Sequence, residues 1–100
     1  MSDEQLVKKA KSGDQRAFEV LVLKYQQRIF ALISRYVRDH DEVQDVAQEA
    51  FIKAFSKLNQ FKAEVTFGAW LKRIVINKSI DCLKSRKQHL QELEEVHLKV

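Results

Sequence analysis

The chain has 100 residues, 45% hydrophobic and 32% charged, with a formal net charge of +4. That is one domain's worth of chain, apolar enough to fold around a core and too hydrophobic to stay disordered. With no proline, only two glycines (Gly13 and Gly68) and a lone cysteine, Cys82, it excludes a sheet of many tight turns, an internal disulfide and a cysteine-rich metal framework.

Four helices are expected. Ser2, with Gln5 three residues on, makes a capping box for a short first helix with Leu6, Val7 and Ala10 on its apolar side. Ser12 and Gly13 end it, the glycine being free to turn left-handed. Asp14 caps a second helix in which Ala17, Phe18, Leu21, Val22, Tyr25, Ile29, Leu32, Ile33 and Tyr36 recur at helical offsets. The string RDHDE breaks that pattern, and Asp39 or Asp41 caps the third helix, DEVQDVAQEAFIKAFSKL. Its stripe is Val43, Val46, Ala47, Ala50, Phe51, Ala54 and Leu58, with Phe55 on the flank. The opposite face holds Asp41, Asp45, Gln48, Glu49 and Ser56 around one apolar residue, Ile52. A single exposed apolar side chain is common. Ringed by acids, Ile52 equally fits an anchor for a basic protein partner.

Residues 60–65 fit neither stripe, and Thr66 caps a fourth helix that opens at Phe67. Phe67, Trp70, Leu71, Ile74 and Val75 share its first apolar face, which then rotates to Ile76, Ile80 and Leu83. Arg73, Asn77 and Lys84 form a line beside Trp70. Aromatic rings can stack on unpaired bases at about 1–3 kcal/mol per base, cations track phosphates, and an asparagine amide can read a base edge. The alternative is core packing for Phe67 and Trp70, and solubility for the cations. The tail, QHLQELEEVHLKV, places Leu90, Leu93, Val96 and Val100 at near-helical spacing and either extends the fourth helix or begins a linker.

Charge is uneven along the chain. Residues 1–61 carry ten Lys/Arg against nine Asp/Glu, residues 62–87 seven against two, and residues 88–100 one against three. Such a basic block suits an anionic partner, or is simply a solvated helix face. No Gly-rich phosphate loop, zinc spacing or nucleophile–base pair is visible, and His40, His89 and His97 are scattered. Neither catalysis nor a cofactor or metal is expected. No apolar run nears the roughly 20 residues of a membrane span, and the start, MSDEQLVKK, has no signal-peptide core. A cytoplasmic setting without membrane insertion is expected.

Three stretches, GDQRAFEVLVLKYQQRIFALISRYV, DEVQDVAQEAFIKAFSKL and FKAEVTFGAWLKRIVINKSIDCLKSRK, occur in that order. Together they resemble region 2 of a bacterial RNA polymerase sigma factor of the extracytoplasmic-function group, over about residues 4–87. DVAQEAFIKAF is the most specific part, followed by the frame of Phe61, Phe67, Trp70, Leu71, Arg73, Ile74 and Asn77. The resemblance implies an all-α domain: a compact bundle of about four helices, with an irregular loop before the last long helix. Region 2 would occupy residues 1–87, residues 88–100 would extend the helix or begin the interdomain linker, and the second helical domain, region 4, would be absent.

The implied function is transcription initiation. Asp45, Gln48, Glu49, Ile52 and Lys53 would contact the clamp helices of the polymerase's largest subunit. Phe61, Lys62, Ala63, Phe67, Lys72, Arg73, Asn77, Lys78 and Lys84 would bind promoter DNA, recognising and melting the −10 element and capturing a flipped non-template base in the loop. An anti-sigma factor is the further partner implied for the full-length protein. The loop departs from family habit at Ala63, where a glycine is frequent, and at Ala69, where Ser or Thr is common before Trp70. Trp70-Leu71 stands where primary sigma factors carry two adjacent aromatics, which resembles the extracytoplasmic-function group. Two other readings compete: a helical protein–protein interaction module without sequence-specific DNA binding, and a duplex-binding helix-turn-helix repressor. The aromatic, irregular loop disfavours the repressor.

Overall fold

The computed structural model describes residues 1–62 and 64–98, and side chains as far as residue 96. Ala63 and Val100 therefore lie outside the described residues. The regular elements among them are all helical: α1 (Asp3–Lys11), α2 (Gln15–Ile33), α3 (His40–Ser56), a 3-10 turn at Leu58–Gln60, and α4 (Phe67–Leu98).

Local chemistry sets each helix start. Ser2 Oγ accepts from the Gln5 N–H at 3.3 Å, and Gln5 Oε1 accepts from the Ser2 N–H at 3.2 Å. Gly13 follows α1 at φ 105°, where a side chain would be strained. Asp14 Oδ1 accepts from the Arg16 and Ala17 N–H groups at 3.0 and 3.3 Å. Of the two candidates before α3, Asp39 is the cap, accepting from Asp41 and Glu42 at 2.9 and 3.3 Å. Thr66 Oγ1 accepts from the Ala69 N–H at 3.2 Å, so α4 begins where its cap predicts. Each such cap is worth about 0.5–2 kcal/mol.

α2 is the central element and packs against α1, α3 and α4. Leu21, Ile33, Val37, Leu71 and Val75 are sealed in the middle. Ala47, Ala50 and Ala54 are also buried, and their small side chains let α3 approach its neighbours closely.

Two details differ from the periodic pattern. α2 stops at Ile33 rather than running through Tyr36, because the Arg35 and Tyr36 N–H groups bond three residues back, to Leu32 and Ile33. The chain tightens into a turn there, which still delivers Val37 to the core. In α4 the buried line does not rotate to Ile76, Ile80 and Leu83. It continues straight from Phe67 through Leu71 and Val75 to Ser79, the first three sealed and the serine fully so. Ser79 tolerates burial because its hydroxyl donates to the Val75 carbonyl at 2.9 Å.

Residues 88–98 extend α4. A helix of 32 residues is about 48 Å long at 1.5 Å per residue, about twice the shorter dimensions of a molecule 60 × 23 × 22 Å in extent, and Leu83, Leu90, Leu93 and Val96 are left exposed. Leu71→Ala should therefore cost about 2–5 kcal/mol in urea unfolding, and Leu90→Ala less than about 0.5 kcal/mol. Equal losses would mean that the far half of α4 is packed.

Candidate nucleic-acid interface

The loop between the 3-10 turn and α4 is held shut by its aromatic ends. Phe61 and Phe67 meet edge-on with centroids 6.0 Å apart, and Trp70 lies 5.1 Å from Phe61 and 5.8 Å from Phe67. Phe61 is 7% exposed and Phe67 5%, while Trp70 is half-buried. The two phenylalanine rings are largely buried and form the floor of the loop, and both also line a hollow between α1 and the loop. Lys62, Glu64, Val65 and Thr66 stand exposed above that floor.

α1 ties both ends of this loop. Lys11 Nζ donates to the Phe61 carbonyl at 2.5 Å and sits 5.5 Å from the centroid of its ring. At the other end, Tyr25 meets Phe67 edge-on at 5.7 Å, and its hydroxyl donates to the Asp3 carboxylate, which Lys24 also holds at 2.5 Å. Gly68 permits this approach, since a Cβ there would stand 3.3 Å from the Tyr25 ring and hydroxyl. Between α1 and the loop lies a hollow of about 670 Å³, lined by Val7, Lys8 and Lys11 on one side and Glu64, Val65 and Thr66 on the other. Sequence reading missed the roles of Lys11 and Tyr25. Their contacts join positions far apart in the chain, and periodicity carries no trace of them.

Burial alone would raise the Asp3 pKa, but the hydrogen bonds from Lys24 and Tyr25 outweigh it and the net shift is downward. Burial, then the hydrogen bond to Asp3, pushes Tyr25 up to about 12.

The exposed row of α4 is intact: Arg73, Asn77 and Lys84 all face solvent, as do Lys62 and Lys72. Lys78 stands apart from the other cations. It is half-buried in the groove between α3 and α4, which Glu42, Asp45, Glu49 and Asp81 also line. It lies about 100° around the helix from Asn77 and so leaves the row. Cys82 lines the same groove. Burial, then the charge of Glu42, pushes its thiol pKa up, away from reactivity.

On α3, Asp45, Gln48, Glu49 and Ile52 are exposed, Ile52 by 62%, and Lys53 is half-buried. The apolar side chain among acids thus stands on an open face. Arg86 of α4 reaches across to Glu42 at 3.1 Å. No metal-ligating cluster occurs among the described residues, and no helix there is long and apolar enough to cross a membrane.

An all-helical bundle with an aromatic-floored loop feeding a polar row on its last helix defines a sigma-factor region 2 domain. The family described as Sigma-70 region 2 matches residues 21–89, and the chain belongs to it, within the extracytoplasmic-function group. Sigma factors are not enzymes. The chain is 52% identical over 84 residues to the RNA polymerase sigma-H factor of Pseudomonas aeruginosa, a match covering 84% of this chain and 44% of that one. It is 47% identical over 77 residues to the ECF RNA polymerase sigma-E factor of Escherichia coli K12, covering 77% and 40%. The chain thus spans less than half the length of these relatives. Among solved structures, an engineered region 2 of sigmaE in complex with GTAAAA superposes with a TM-score of 0.84 at 42% identity, covering 90% of this chain and 94% of that one. CnrH, solved in complex with the cytosolic domain of CnrY, gives a TM-score of 0.74 at 35% identity, covering 79% and 51%.

The ionised Asp3 carboxylate should stabilise the fold. Its pKa is depressed on folding, so the contribution is present above the ordinary value of 3.8 and is lost as pH falls through the lower folded value. Asp3→Asn should lower stability by about 1 kcal/mol at pH 7, or roughly 4–8 °C in melting temperature. Melts across a pH series should show the gap to wild type closing in strong acid. A gap that persists there would mean the charge is not what matters.

Proposed function

We propose that the domain binds core RNA polymerase through the α3 face around Ile52 and holds the non-template strand of a promoter −10 element in and beside the loop before α4. The observation that carries this reading is the arrangement of the loop: its ends are locked by Phe61, Phe67, Trp70 and Lys11, while Lys62, Glu64, Val65 and Thr66 between them are exposed, as is the row of Arg73, Asn77 and Lys84. The complex of the similar sigmaE region 2 with GTAAAA supports it.

Extruding a base from a duplex costs a few kcal/mol of stacking and pairing. A loop whose two ends are already held spends less further entropy on binding, so its contacts offset that cost more fully. Lys62, Lys72, Arg73 and Lys84 hold phosphates, and Asn77 is placed to read a base edge. Ala63 belongs to the loop set by resemblance alone. No hydrolysis is needed, since preferential binding to the opened strand shifts the duplex–bubble equilibrium. On the polymerase side, Ile52 buries against the clamp helices of the largest subunit, while Asp45, Gln48 and Glu49, with Lys53 beside them, supply the polar rim. The complex of CnrH with CnrY supports a regulatory anti-sigma partner for the whole factor.

Selection from a single-stranded oligonucleotide library, with matching duplexes, tests the DNA reading. Single strands should win, and Asn77→Ala should weaken the selected sequence by about 1–3 kcal/mol while leaving scrambled strands unchanged. Phe61→Ala should instead unfold the domain, at about 3–5 kcal/mol. Equal affinity for selected strands, scrambled strands and duplex would sink base capture and leave a protein-interaction module.

For the α3 face, capture by a polymerase clamp-helix fragment is the measurement. Ile52→Asp should cost at least about 2 kcal/mol. Intact capture by Ile52→Asp, Gln48→Ala and Glu49→Lys alike would show that the face is misassigned.

A further inference from the structure

α2 and the start of α4 frame a second groove of about 410 Å³. Arg28 and Arg35 line it from α2 and the turn that follows, Lys72 lines it from α4, and Ile29, Leu32 and Gly68 are among its apolar parts. All three cations are exposed, and no carboxylate lines the groove. The salt bridges among the described residues use Lys24 with Asp3 and Arg86 with Glu42, so none of the three has a carboxylate within 4.0 Å. Asp3 feels the charge of Arg28 but is already engaged by Lys24 and Tyr25.

Three cations converging on one groove repel each other unless an anion lies among them. Arg28 lies in the last turns of α2 and Arg35 in the turn that follows Ile33, so the two enter the groove at separate points along it. That spacing suits successive charges on a polyanion rather than one small ion. Lys72 lies about 100° around α4 from Arg73, on the side that turns to α2, so the groove flanks the row rather than continuing it. Ile29 and Leu32 line the same groove, and apolar surface of that kind suits arginine stems whose charged heads stay in water.

We infer that this groove binds the phosphodiester backbone of the captured single strand beyond the bases read by the α4 row, with Arg28 and Arg35 as contacts that periodicity and family resemblance do not assign. The inference rests on the single-strand reading above and extends its footprint from α4 onto α2. The groove adds phosphate contacts and no base discrimination.

The test uses this chain with its selected −10 strand, both as the bare hexamer and with six more nucleotides on each side. Fluorescence anisotropy gives the affinity from 50 to 200 mM salt. The wild type should show a steeper salt dependence on the extended strand than on the hexamer. Arg28→Gln with Arg35→Gln should flatten the extended-strand slope by about 1.4, roughly 0.7 for each single-strand phosphate no longer neutralised, with base preference and melting temperature kept. Lys9→Gln with Arg16→Gln, which removes equal charge outside the groove, should change the slope far less.

An unchanged slope in the groove variant, an equal change in the charge control, or a loss seen only on duplex DNA would each overturn the inference while leaving base capture standing. If the wild type itself does not distinguish selected from scrambled strands, base capture fails and this inference falls with it.

Discussion

Phe61 and Phe67 bury themselves at the two ends of a short irregular segment, and the geometry of the interface depends on that burial. A loop with no ladder or helix bonds of its own is costly to order. Here the ordering comes from its ends. Edge-on aromatic contacts of about 0.5–1.5 kcal/mol each join Phe61 to Phe67 and Phe67 to Tyr25, and Lys11 fastens the Phe61 carbonyl. The rings are used up in shaping the segment, so chemistry toward a partner falls to the exposed residues between them and to the neighbouring α4 row. That division separates what the loop needs to exist from what it offers to a ligand.

The basic segment of residues 62–87 is one block in the sequence and several in space. Helix geometry sends Arg73, Asn77 and Lys84 to solvent, Lys78 and Arg86 into the groove with the acids of α3, and Lys72 to the groove with α2. The Arg86–Glu42 pair is exposed enough to be worth little in stability, about 0–1 kcal/mol. Its consequence is positional: it occupies a cation that would otherwise add to the free charge on α4. Arg73 and Lys84 in the row and Lys72 in the α2 groove stay free of such pairing, while the acids of α3 stay on a separate face around Ile52. A single small domain thus presents an acid-ringed apolar anchor and a basic track without one cancelling the other.

Much of this is legible in the sequence, because much of it is local. Ser2 with Gln5, Asp14, Asp39 and Thr66 cap their helices through bonds spanning two or three residues, and a capping pattern can be read from the string alone. The exposure of Ile52 follows from its angle to the buried stripe of α3. Non-local matters are not legible. Ser79 reads as polar, yet its hydroxyl bonds to its own helix and the stripe runs through it. Lys78 reads as one cation among several until α3 is seen opposite it. Lys11 looks like helix solubility, and only the fold shows its amine on a carbonyl 50 positions away. Phe61 reads as a stacking platform because a ring in a loop and a ring in a core are the same letter.

α4 joins two different physical regimes in one helix. As far as Ser79 it is held by burial; beyond it Leu83, Leu90, Leu93 and Val96 are exposed, and Glu92, Glu94 and Glu95 make the far end acidic. A short isolated helix of that composition would be marginal in water, because its first turn is costly to nucleate. Here nucleation is inherited. The packed half supplies formed turns, each added residue needs only one more backbone bond, and Gln88 donates to Glu92 one turn on at 3.5 Å. The extension is therefore only as stable as the core that starts it, and loosening Leu71 or Val75 would weaken both halves of α4. The same dependence fixes Lys84, at the end of the proposed reading row, in register with Arg73 at its beginning: the row stays straight because one continuous helix, anchored at its first three turns, carries all of it.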